Sequence, residues 1–515
     1  MKTALKVLGL CVLLSLFFVF AAGCTNNGNG HVPTEQTYTI TYVTLGGSPV
    51  SEQSVPLGFP VGSPASVKAG YFFGGWTFED GTDASSARAS TNVTLYAKWV
   101  DMLAYRGNGD GTYTVYGNAE GGSGGDFQYI YSYHYAGLDG YVLEIPSSYN
   151  GGDVTAIDTL AFQNYSYMLE VNIPSTVKSI GAFAFHICYR LRAYNVQPEN
   201  THFYSQDGVL YNHNKSKLAA FPEAKLRGNT FEVPHGVHII GTGAFSGAGI
   251  TGVLLPDTLE NIEIDAFRSS DLEAINIPAS VKTIGNWAFA YCLHLSNVLF
   301  APDSRLESIG AYAFYRAGIM TGVPDFDSIE LPQNLKTLSS SAFDETKLHE
   351  NALAAAENGV AYISGWAVKY TGKIAHVSFR LDTVGIALGF AYASSNDPVP
   401  EITSVTIPES VRTINMMAFS GCRDIQSVTI AHGGLIHIGD NAFFGCQSLN
   451  GIIIPQSVTV IDKSAFLNCT NLTIYVKGRK ERPQGLNGYW HEHWNVCDYQ
   501  WGYPPYIYIP VQWDV

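Results

Sequence analysis

Cysteine has the widest chemistry of any residue type in this 515-residue chain, because a thiolate can bind a metal, form a disulfide or accept a lipid. Five of the eight cysteines lie three residues after a phenylalanine of a repeated pattern: Cys188, Cys292, Cys422, Cys446 and Cys469. A position fixed by a repeat predicts packing, where a thiol behaves as a small buried hydrophobic group. Disulfides between neighbouring repeats stay a less favoured alternative. The state of Cys497 stays open.

The spacing of histidine and cysteine gives little support for a metal or catalytic site. No Cys-x-x-Cys pair occurs, which argues against a zinc or redox site. His491-Glu492-His493 offers two imidazoles and a carboxylate, but a zinc protease has its two histidines four residues apart on a helix. No Ser-His-Asp grouping or glycine-rich phosphate loop is recognisable. The sequence therefore predicts a non-enzymatic protein without metal or cofactor. An enzyme with an unrecognised site in 186–230, 344–404 or 476–515 is the disfavoured alternative.

The N-terminus carries an export signal. Lys2 and Lys6 precede a short apolar run, and Ala21-Ala22-Gly23 stands directly before Cys24. This segment resembles a bacterial lipoprotein signal. The resemblance implies a signal peptide over 1–23, lipid attachment at Cys24, and a polar tether over 24–37. We therefore expect an exported, cell-surface protein held to the membrane by its N-terminal lipid only. Ordinary signal cleavage near Ala22 is the alternative.

The charge balance excludes one class of partner. The chain has 29 Lys and Arg against 44 Asp and Glu, a formal net charge of −15, with no basic cluster. Nucleic-acid phosphates require clustered Lys and Arg, so no nucleic acid is expected as a partner.

A small β-rich module is predicted over 38–100. Tyr38-Thr39-Ile40-Thr41-Tyr42, Gly70-Tyr71-Phe72-Phe73-Gly74-Gly75-Trp76 and Thr94-Leu95-Tyr96-Ala97-Lys98-Trp99 alternate β-formers with glycine turns. These landmarks resemble the internalin-type B repeat, also called the Listeria–Bacteroides repeat. The resemblance implies a β-grasp-like spacer of bacterial surface proteins. We expect Trp76 and Trp99 to be core residues.

A repeat governs the rest of the chain. An aliphatic residue stands five positions before an Ala-Phe phenylalanine ten times, with a basic period of about 22 to 25 residues and two long insertions. The phenylalanines are Phe162, Phe185, Phe245, Phe267, Phe289, Phe314, Phe343, Phe419, Phe443 and Phe466. Upstream of most pairs, a short alternating strand ends in proline, as in Ile275-Asn276-Ile277-Pro278. One coil cannot bury these side chains alone, so the coils must stack.

The repeat resembles the BspA-like leucine-rich repeats of bacterial surface proteins over roughly 140–475. We therefore predict a mainly β protein, a leucine-rich-repeat solenoid preceded by a small β-grasp-like domain. An N-terminal cap is expected over 104–145. Repeats are expected over 146–475, with variant coils near 196–230 and 350–400, and a C-terminal cap over 476–515.

Binding is expected on the exposed strand positions two residues before the turn proline, on the presumed concave face. They are Asn172, Glu232, Leu254, Asn276, Glu330, Thr406 and Thr429, the last placed by register. The family resemblance implies adhesion, with an extracellular or host protein as partner. Aromatic residues in the caps leave a carbohydrate- or envelope-binding scaffold as the alternative; they include Tyr129, Tyr131, Tyr133, Tyr135, Trp490, Trp494, Trp501 and Trp513.

Overall fold

The computed structural model describes residues 36–61, 64, 66, 68, 71–117, 140–372, 374–392, 400–481, 483, 489–492, 494–498 and 507–513. The chain divides into two units. The first contains Met1–Ser66 and Gly75–Lys98, and the second contains Val67–Gly74 and Trp99–Val515. Strands are numbered in chain order.

The first four strands form one mixed sheet. They are β1 (Thr37–Val43), β2 (Gln53–Pro56), β3 (Tyr71–Thr77) and β4 (Val93–Asp101), in the order β2-β1-β4-β3. Strand β1 pairs antiparallel with β2 and parallel with β4, so a parallel pair lies at the centre of the sheet. Trp76 is buried as expected, but Trp99 is only partly buried and packs 5.5 Å from the Phe73 ring.

Parallel strands of three to six residues, which we call the long strands, form one side of most coils in the second unit. They are β7 (Tyr141–Glu144), β10 (Met168–Ile173), β12 (Ala193–Val196), β16 (Thr230–Glu232), β18 (Gly252–Leu254), β20 (Ala274–Ile277), β22 (Asn297–Phe300), β27 (His376–Ser378), β29 (Ser404–Ile407), β31 (Ser427–Ile430), β33 (Gly451–Ile454), β35 (Thr473–Val476) and β39 (Val511–Trp513). They pair as β7-β10-β12, β16-β18, β20-β22 and β27-β29-β31-β33-β35-β39. We call their exposed side chains the long-strand face.

A second set of strands forms the other side; they have two residues each except β5, β6 and β9, and we call them the short strands. They are β5 (Leu103–Gly107), β6 (Tyr113–Gly117), β8 (Ser148–Tyr149), β9 (Gly152–Ile157), β11 (Ser179–Ile180), β17 (Ile239–Ile240), β19 (Asn261–Ile262), β21 (Thr283–Ile284), β23 (Ser308–Ile309), β24 (Thr337–Leu338), β28 (Gly385–Ile386), β30 (Thr413–Ile414), β32 (His437–Ile438), β34 (Val460–Ile461) and β36 (Tyr489–Trp490). Most carry the aliphatic residue of the repeat. The expected leucine-rich-repeat solenoid is confirmed.

The two inserted segments each add antiparallel strands to the sheets of short strands. Strands β13 (Phe203–Gln206), β14 (Val209–Asn212) and β15 (Lys217–Ala220) pair antiparallel in turn, and β15 then pairs parallel with β17. Strands β25 (Val360–Ile363) and β26 (Trp366–Tyr370) form a second antiparallel pair that continues into β28. Helix α1 (Lys347–Ala354), which the sequence analysis did not predict, precedes it; the Thr346 side chain caps its N-terminus. Strands β37 (Val496–Asp498) and β38 (Ile507–Tyr508) form a last antiparallel pair.

The repeated phenylalanines form the core. All ten are buried, and neighbouring rings stack face to face across most coil interfaces. Phe267 and Phe289 lie 5.0 Å apart with 3° between their planes, and Phe443 and Phe466 lie 5.5 Å apart with 2°. Of the two rings from the inserted segments, Phe221 stacks on Phe245, whereas Phe390 meets Phe419 edge to face at 5.7 Å.

A second ladder consists of backbone hydrogen bonds between coils. The residues two before and two after the phenylalanine adopt left-handed backbone angles, as at Asp265 (φ 55°) and Ser269 (φ 57°). Alternate N–H groups consequently face the next coil. Asp265, Phe267 and Ser269 donate to the carbonyls of Asn286, Ala288 and Ala290 at 3.0, 2.7 and 2.9 Å. Each regular interface is therefore held by both ring packing and backbone pairing.

The five register cysteines are buried thiols, not disulfides. Each thiol hydrogen-bonds to a backbone carbonyl of the preceding coil, as between Cys292 Sγ and Phe267 O at 3.0 Å. Burial raises the pKa of the Cys292 thiol to about 12, which keeps the hydrogen on sulfur. These cysteines pack as predicted and also link successive coils.

Candidate binding surfaces

The long-strand face carries six of the seven predicted binding residues. Alternation produces it: in β20, Ile275 and Ile277 are buried while Ala274 and Asn276 are exposed. Glu232 pairs in register with Leu254, and Thr406 pairs with Thr429. Asn172 and Asn276 lie in two other sheets, but β20 contacts β18, so Asn276 follows Leu254 in the next coil.

Glu330 does not lie in a strand, and that expectation is wrong. The residue is exposed in an irregular segment. A few residues earlier, the Phe326 ring is fully buried and packs 5.7 Å from Phe314 and 6.3 Å from Phe343. The segment is thus anchored by an extra ring outside the repeat register. Glu330 instead borders a surface cavity of about 760 Å³ beside Leu299.

Polar residues join across the N-terminal sheet of the long-strand face. Asn172 Nδ2 donates to Glu144 Oε1 at 2.5 Å, while Asn195 Nδ2 donates to Asn172 Oδ1 at 2.9 Å and to Glu170 Oε2 at 2.8 Å. Glu144 and Asn195 were missed by the sequence analysis. Glu144 stands two residues before Pro146, so the same rule could have found it, whereas no proline follows Asn195 in the required position.

The long-strand face also exposes aliphatic side chains. Leu254 is 57% exposed, Leu299 53% and Ile453 50%. Leu299 is the register neighbour of Asn276. The face thus mixes large apolar groups with amides, hydroxyls and carboxylates.

Aromatic and arginine side chains form a second surface, on the turns that follow the short strands. We call it the aromatic–arginine patch; it consists of Arg268, Trp287, Tyr291, Tyr312, Tyr315 and Arg316. Tyr312 stacks on Trp287 at 4.4 Å, and the Arg268 guanidinium lies 5.3 Å from the rings of Trp287 and Tyr291. Trp, Tyr and Arg are the residues most enriched at binding hot spots.

Four members of the patch hold strained backbone angles. The φ values of Trp287, Tyr291, Tyr312 and Arg316 lie between 55° and 59°. Large side chains in this region cost roughly 1–2 kcal/mol each. Several other coils have Gly, Ser, Asn or Asp there, which tolerate the conformation better, as at Gly243 and Asn441. The sequence analysis missed this patch, although Trp and Tyr at two positions of the repeat register are visible in the sequence.

The histidine and cysteine groupings of the sequence can be placed only in part. The described residues contain no cluster of three or more His, Cys, Asp or Glu side chains that could hold a metal. His491 N–H donates to the Ile461 carbonyl at 2.8 Å, and His493 lies outside the described residues. Within the same part of the chain, no helix is long and apolar enough to span a membrane.

Several predicted residues cannot be placed. Cys24, the preceding segment and the cap tyrosines from Tyr129 to Tyr135 lie outside the described residues, as do Trp501 and the side chain of Cys497. Trp490 and Trp494 are buried at the end of the core, 4.7 Å apart, so they cap it and are not ligand platforms.

Comparison with known proteins gives two family matches. The model of the BspA type leucine rich repeat region matches residues 128–225, 216–324, 319–397 and 391–477. The model of the Listeria-Bacteroides repeat domain matches residues 38–98. No curated protein matches the chain.

Similar solved structures are bacterial leucine-rich-repeat proteins. A leucine rich cell surface protein from Faecalibacterium prausnitzii is 23% identical, with 74% of this chain and 94% of that chain covered and a TM-score of 0.28. A leucine-rich repeat protein from Bacteroides ovatus is 23% identical, with 73% and 87% covered and a TM-score of 0.29. One from Eubacterium ventriosum is 17% identical, with 76% and 97% covered and a TM-score of 0.30.

Proposed function

The chain belongs to the BspA type leucine-rich-repeat family, and from this membership we propose that it is a non-enzymatic bacterial cell-surface protein that binds an extracellular protein partner in adhesion or host interaction. The solenoid supplies the binding surface, and the Listeria–Bacteroides repeat serves as the spacer. Its partner is an extracellular-matrix or host protein, not a nucleic acid.

One observation carries the choice of a protein partner. Leu254 and Leu299 are more than half exposed on the long-strand face, beside Glu232 and Asn276. Burying such aliphatic groups against another protein contributes about 25 cal/mol per Å² of apolar area. Sugars bind instead through aromatic faces and hydrogen bonds, which these aliphatic positions do not offer.

The test is binding of the full chain to immobilised extracellular-matrix proteins and to a glycan array. Leu254→Glu and Leu299→Glu place a charge in the centre of the face, and saturable binding to one protein should weaken by about tenfold or more. Leu381→Glu is the matched control, because Leu381 is 87% exposed and lies outside the strands. Protein binding that neither long-strand variant weakens contradicts this location.

The aromatic–arginine patch is the competing surface on the same coils. Tyr291→Ala should leave binding unchanged if the partner sits on the long-strand face, and should abolish it if the partner sits on the patch. Saturable binding to glycans alone, with no binding to any protein, would contradict the proposal and favour the carbohydrate-binding scaffold.

We further propose that Cys24 carries the membrane anchor. The small residues before it and the apolar run are the supporting features. In cells fed a radiolabelled fatty acid, the wild-type chain should be labelled and found with membranes, and Cys24→Ser should lose the label. Equal labelling of the two chains contradicts the anchor.

A further inference from the structure

The stack of phenylalanine rings is interrupted between the coil of Phe185 and the inserted coil of Phe221, and again beside Phe390, which meets Phe419 at 69°. The first of these interruptions leaves a cavity. Phe185 stacks on Phe162 at 5.5 Å, but on its other side it meets the edge of Tyr194. A new stack begins with Phe221 and Phe245, 4.9 Å apart. A cavity of about 350 Å³ lies between the two coils. We call it the junction cavity; Ala182 lines it and is exposed, so it opens to solvent.

Two backbone donors face this cavity. Phe183 (φ 56°) and Ile187 (φ 61°) have the same left-handed angles as Asp265 and Ser269 in a regular coil, so alternate N–H groups point towards the next coil. Among the described residues, the N–H groups of Phe183 and Phe185 have no hydrogen-bond acceptor. In the inserted coil, β15 runs almost directly into Phe221, so the turn that would supply the carbonyls is missing.

Glu223 replaces one of the missing carbonyls. Its Oε1 accepts the Ile187 N–H at 2.7 Å, which pairs the third donor of the coil. The side chain is only 4% exposed, and Oε2 has no hydrogen-bond partner among the described residues. An unpartnered buried carboxyl oxygen is costly, because burial removes its water without a replacement. Burial accordingly raises the pKa of Glu223 to about 7.

Among the described residues no cationic side chain hydrogen-bonds to Oε2; Arg227 attracts the charge of the carboxylate, but its Nη2 donates to the Tyr189 carbonyl at 3.1 Å. Lys217 also lines the cavity, but its ammonium is bound to both oxygens of Glu263, at 2.9 and 2.7 Å. His186 Nδ1 lies 4.0 Å from Glu223 Oε1, and burial lowers the pKa of that imidazole. The cavity therefore combines one buried acid whose Oε2 has no hydrogen-bond partner among the described residues, two open N–H donors and apolar walls from Phe203 and Phe221.

We propose that the junction cavity binds a small organic molecule that carries a protonated amine and a hydrogen-bond acceptor. The amine pairs with Glu223 Oε2, and the acceptor receives the N–H groups of Phe183 and Phe185. A volume of about 350 Å³ lies within the range of small-molecule sites. An amino sugar and an amino acid both have this chemistry. The site is independent of the protein partner proposed for the long-strand face.

The first test is calorimetric titration of the full chain with four probes. D-glucosamine and L-leucine carry the amine and an acceptor, cyclohexylamine lacks the acceptor, and N-acetylglucosamine lacks the cation. We expect saturable binding of glucosamine or leucine, at least about tenfold tighter than cyclohexylamine and N-acetylglucosamine. Which of the two binds identifies the source of the amine. Failure of both, or equal binding of N-acetylglucosamine, overturns the proposal.

A variant locates the site. Glu223→Gln keeps an oxygen for the Ile187 N–H but removes the charge, and should weaken amine binding by about tenfold or more. Glu79→Gln, which changes an exposed carboxyl outside the solenoid, is the control and should bind as the wild type does. Equal affinity of the Glu223→Gln chain overturns the assignment.

Hydrogen exchange of the wild-type chain tests the open donors without a variant. Before ligand is added, the amides of Phe183 and Phe185 should exchange faster than those of Asp265 and Phe267, which are bonded to the next coil. The bound probe should slow exchange over 181–188 and leave 263–270 unchanged. Protection of Phe183 and Phe185 in the ligand-free chain, or no change on binding, overturns the proposal.

Discussion

The interface between the coils of Phe267 and Phe289 and the junction between those of Phe185 and Phe221 use the same kind of turn with opposite results. In the first, the rings stack 5.0 Å apart and three alternate N–H groups meet three carbonyls. In the second, the rings separate, two N–H groups stay open, and a carboxyl takes the place of the third carbonyl. The backbone N–H groups of a coil are therefore all paired only where the neighbouring coil also has its complete turn. An incomplete coil leaves donors, an acid and a cavity at a defined place.

The largest expected effect is the loss of stability when a stacked phenylalanine ring is removed, and it should differ between the regular interface and the junction. Phe289 is stacked on both sides, by Phe267 at 5.0 Å and Phe314 at 5.2 Å, so Phe289→Ala should lower the free energy of unfolding by about 3–5 kcal/mol. Phe185→Ala should cost at least about 1 kcal/mol less, because its ring is stacked on one side only and already borders a cavity. Urea unfolding of both variants measures the difference, and equal losses would contradict the comparison.

The next effect concerns the acid that replaces a carbonyl. The pKa of Glu223 is raised from 4.5 to about 7. Between these values the native chain holds the proton and the unfolded chain does not, so stability falls as pH rises through this window and levels off above it. The loss attributable to Glu223 is up to roughly 3 kcal/mol.

Urea unfolding at several pH values measures this effect as the difference between the wild type and Glu223→Gln. The lowered pKa of His186 contributes with the opposite sign, but it is largely common to both chains. The wild type should lose stability relative to the variant from pH 4.5 to 7. A difference that stays constant with pH would contradict a buried, uncompensated acid.

The regular interfaces could be predicted from sequence because each signal in them is local. The aliphatic residue five before the Ala-Phe pair recurs with one period, and all ten phenylalanines are buried as expected. Alternation in the long strands likewise fixes which side chains are exposed, as at Asn276 and Thr406. The lipid on Cys24 and the binding partner stay predictions.

The irregular places could not be predicted, because they depend on contacts between distant residues. Glu330 fits the strand-and-proline rule, yet Phe326 anchors its segment outside the register. Glu223 looks like a surface acid in sequence, and only the missing turn of its coil buries it. The backbone strain at Trp287 and Tyr291 could not be predicted either, because Trp and Tyr are not residue types that indicate left-handed backbone angles.

A smaller effect is expected for the thiol ladder of the regular interfaces. Cys292 is fully buried and donates to the Phe267 carbonyl at 3.0 Å, so Cys292→Ala should cost about 1–2 kcal/mol through the lost hydrogen bond and the small void. Ser296→Ala is the control: Ser296 Oγ donates to the Glu273 carbonyl of the preceding coil at 3.3 Å, but at an exposed position where water replaces the bond. Equal losses by urea unfolding would show that the thiol only fills space.

The smallest expected change is on the long-strand face, where binding and stability should separate. Glu232 is exposed beside Leu254 and belongs to neither the phenylalanine stack nor the backbone ladder. Glu232→Lys should therefore change the free energy of unfolding by less than about 0.5 kcal/mol. The same variant should weaken binding of the protein partner, because it reverses a charge within the proposed contact. A stability loss as large as that of Cys292→Ala would mean that the long-strand face helps to hold the coils together. Ring stacking and backbone pairing would then not be the only interactions that make the regular interfaces more stable than the junction.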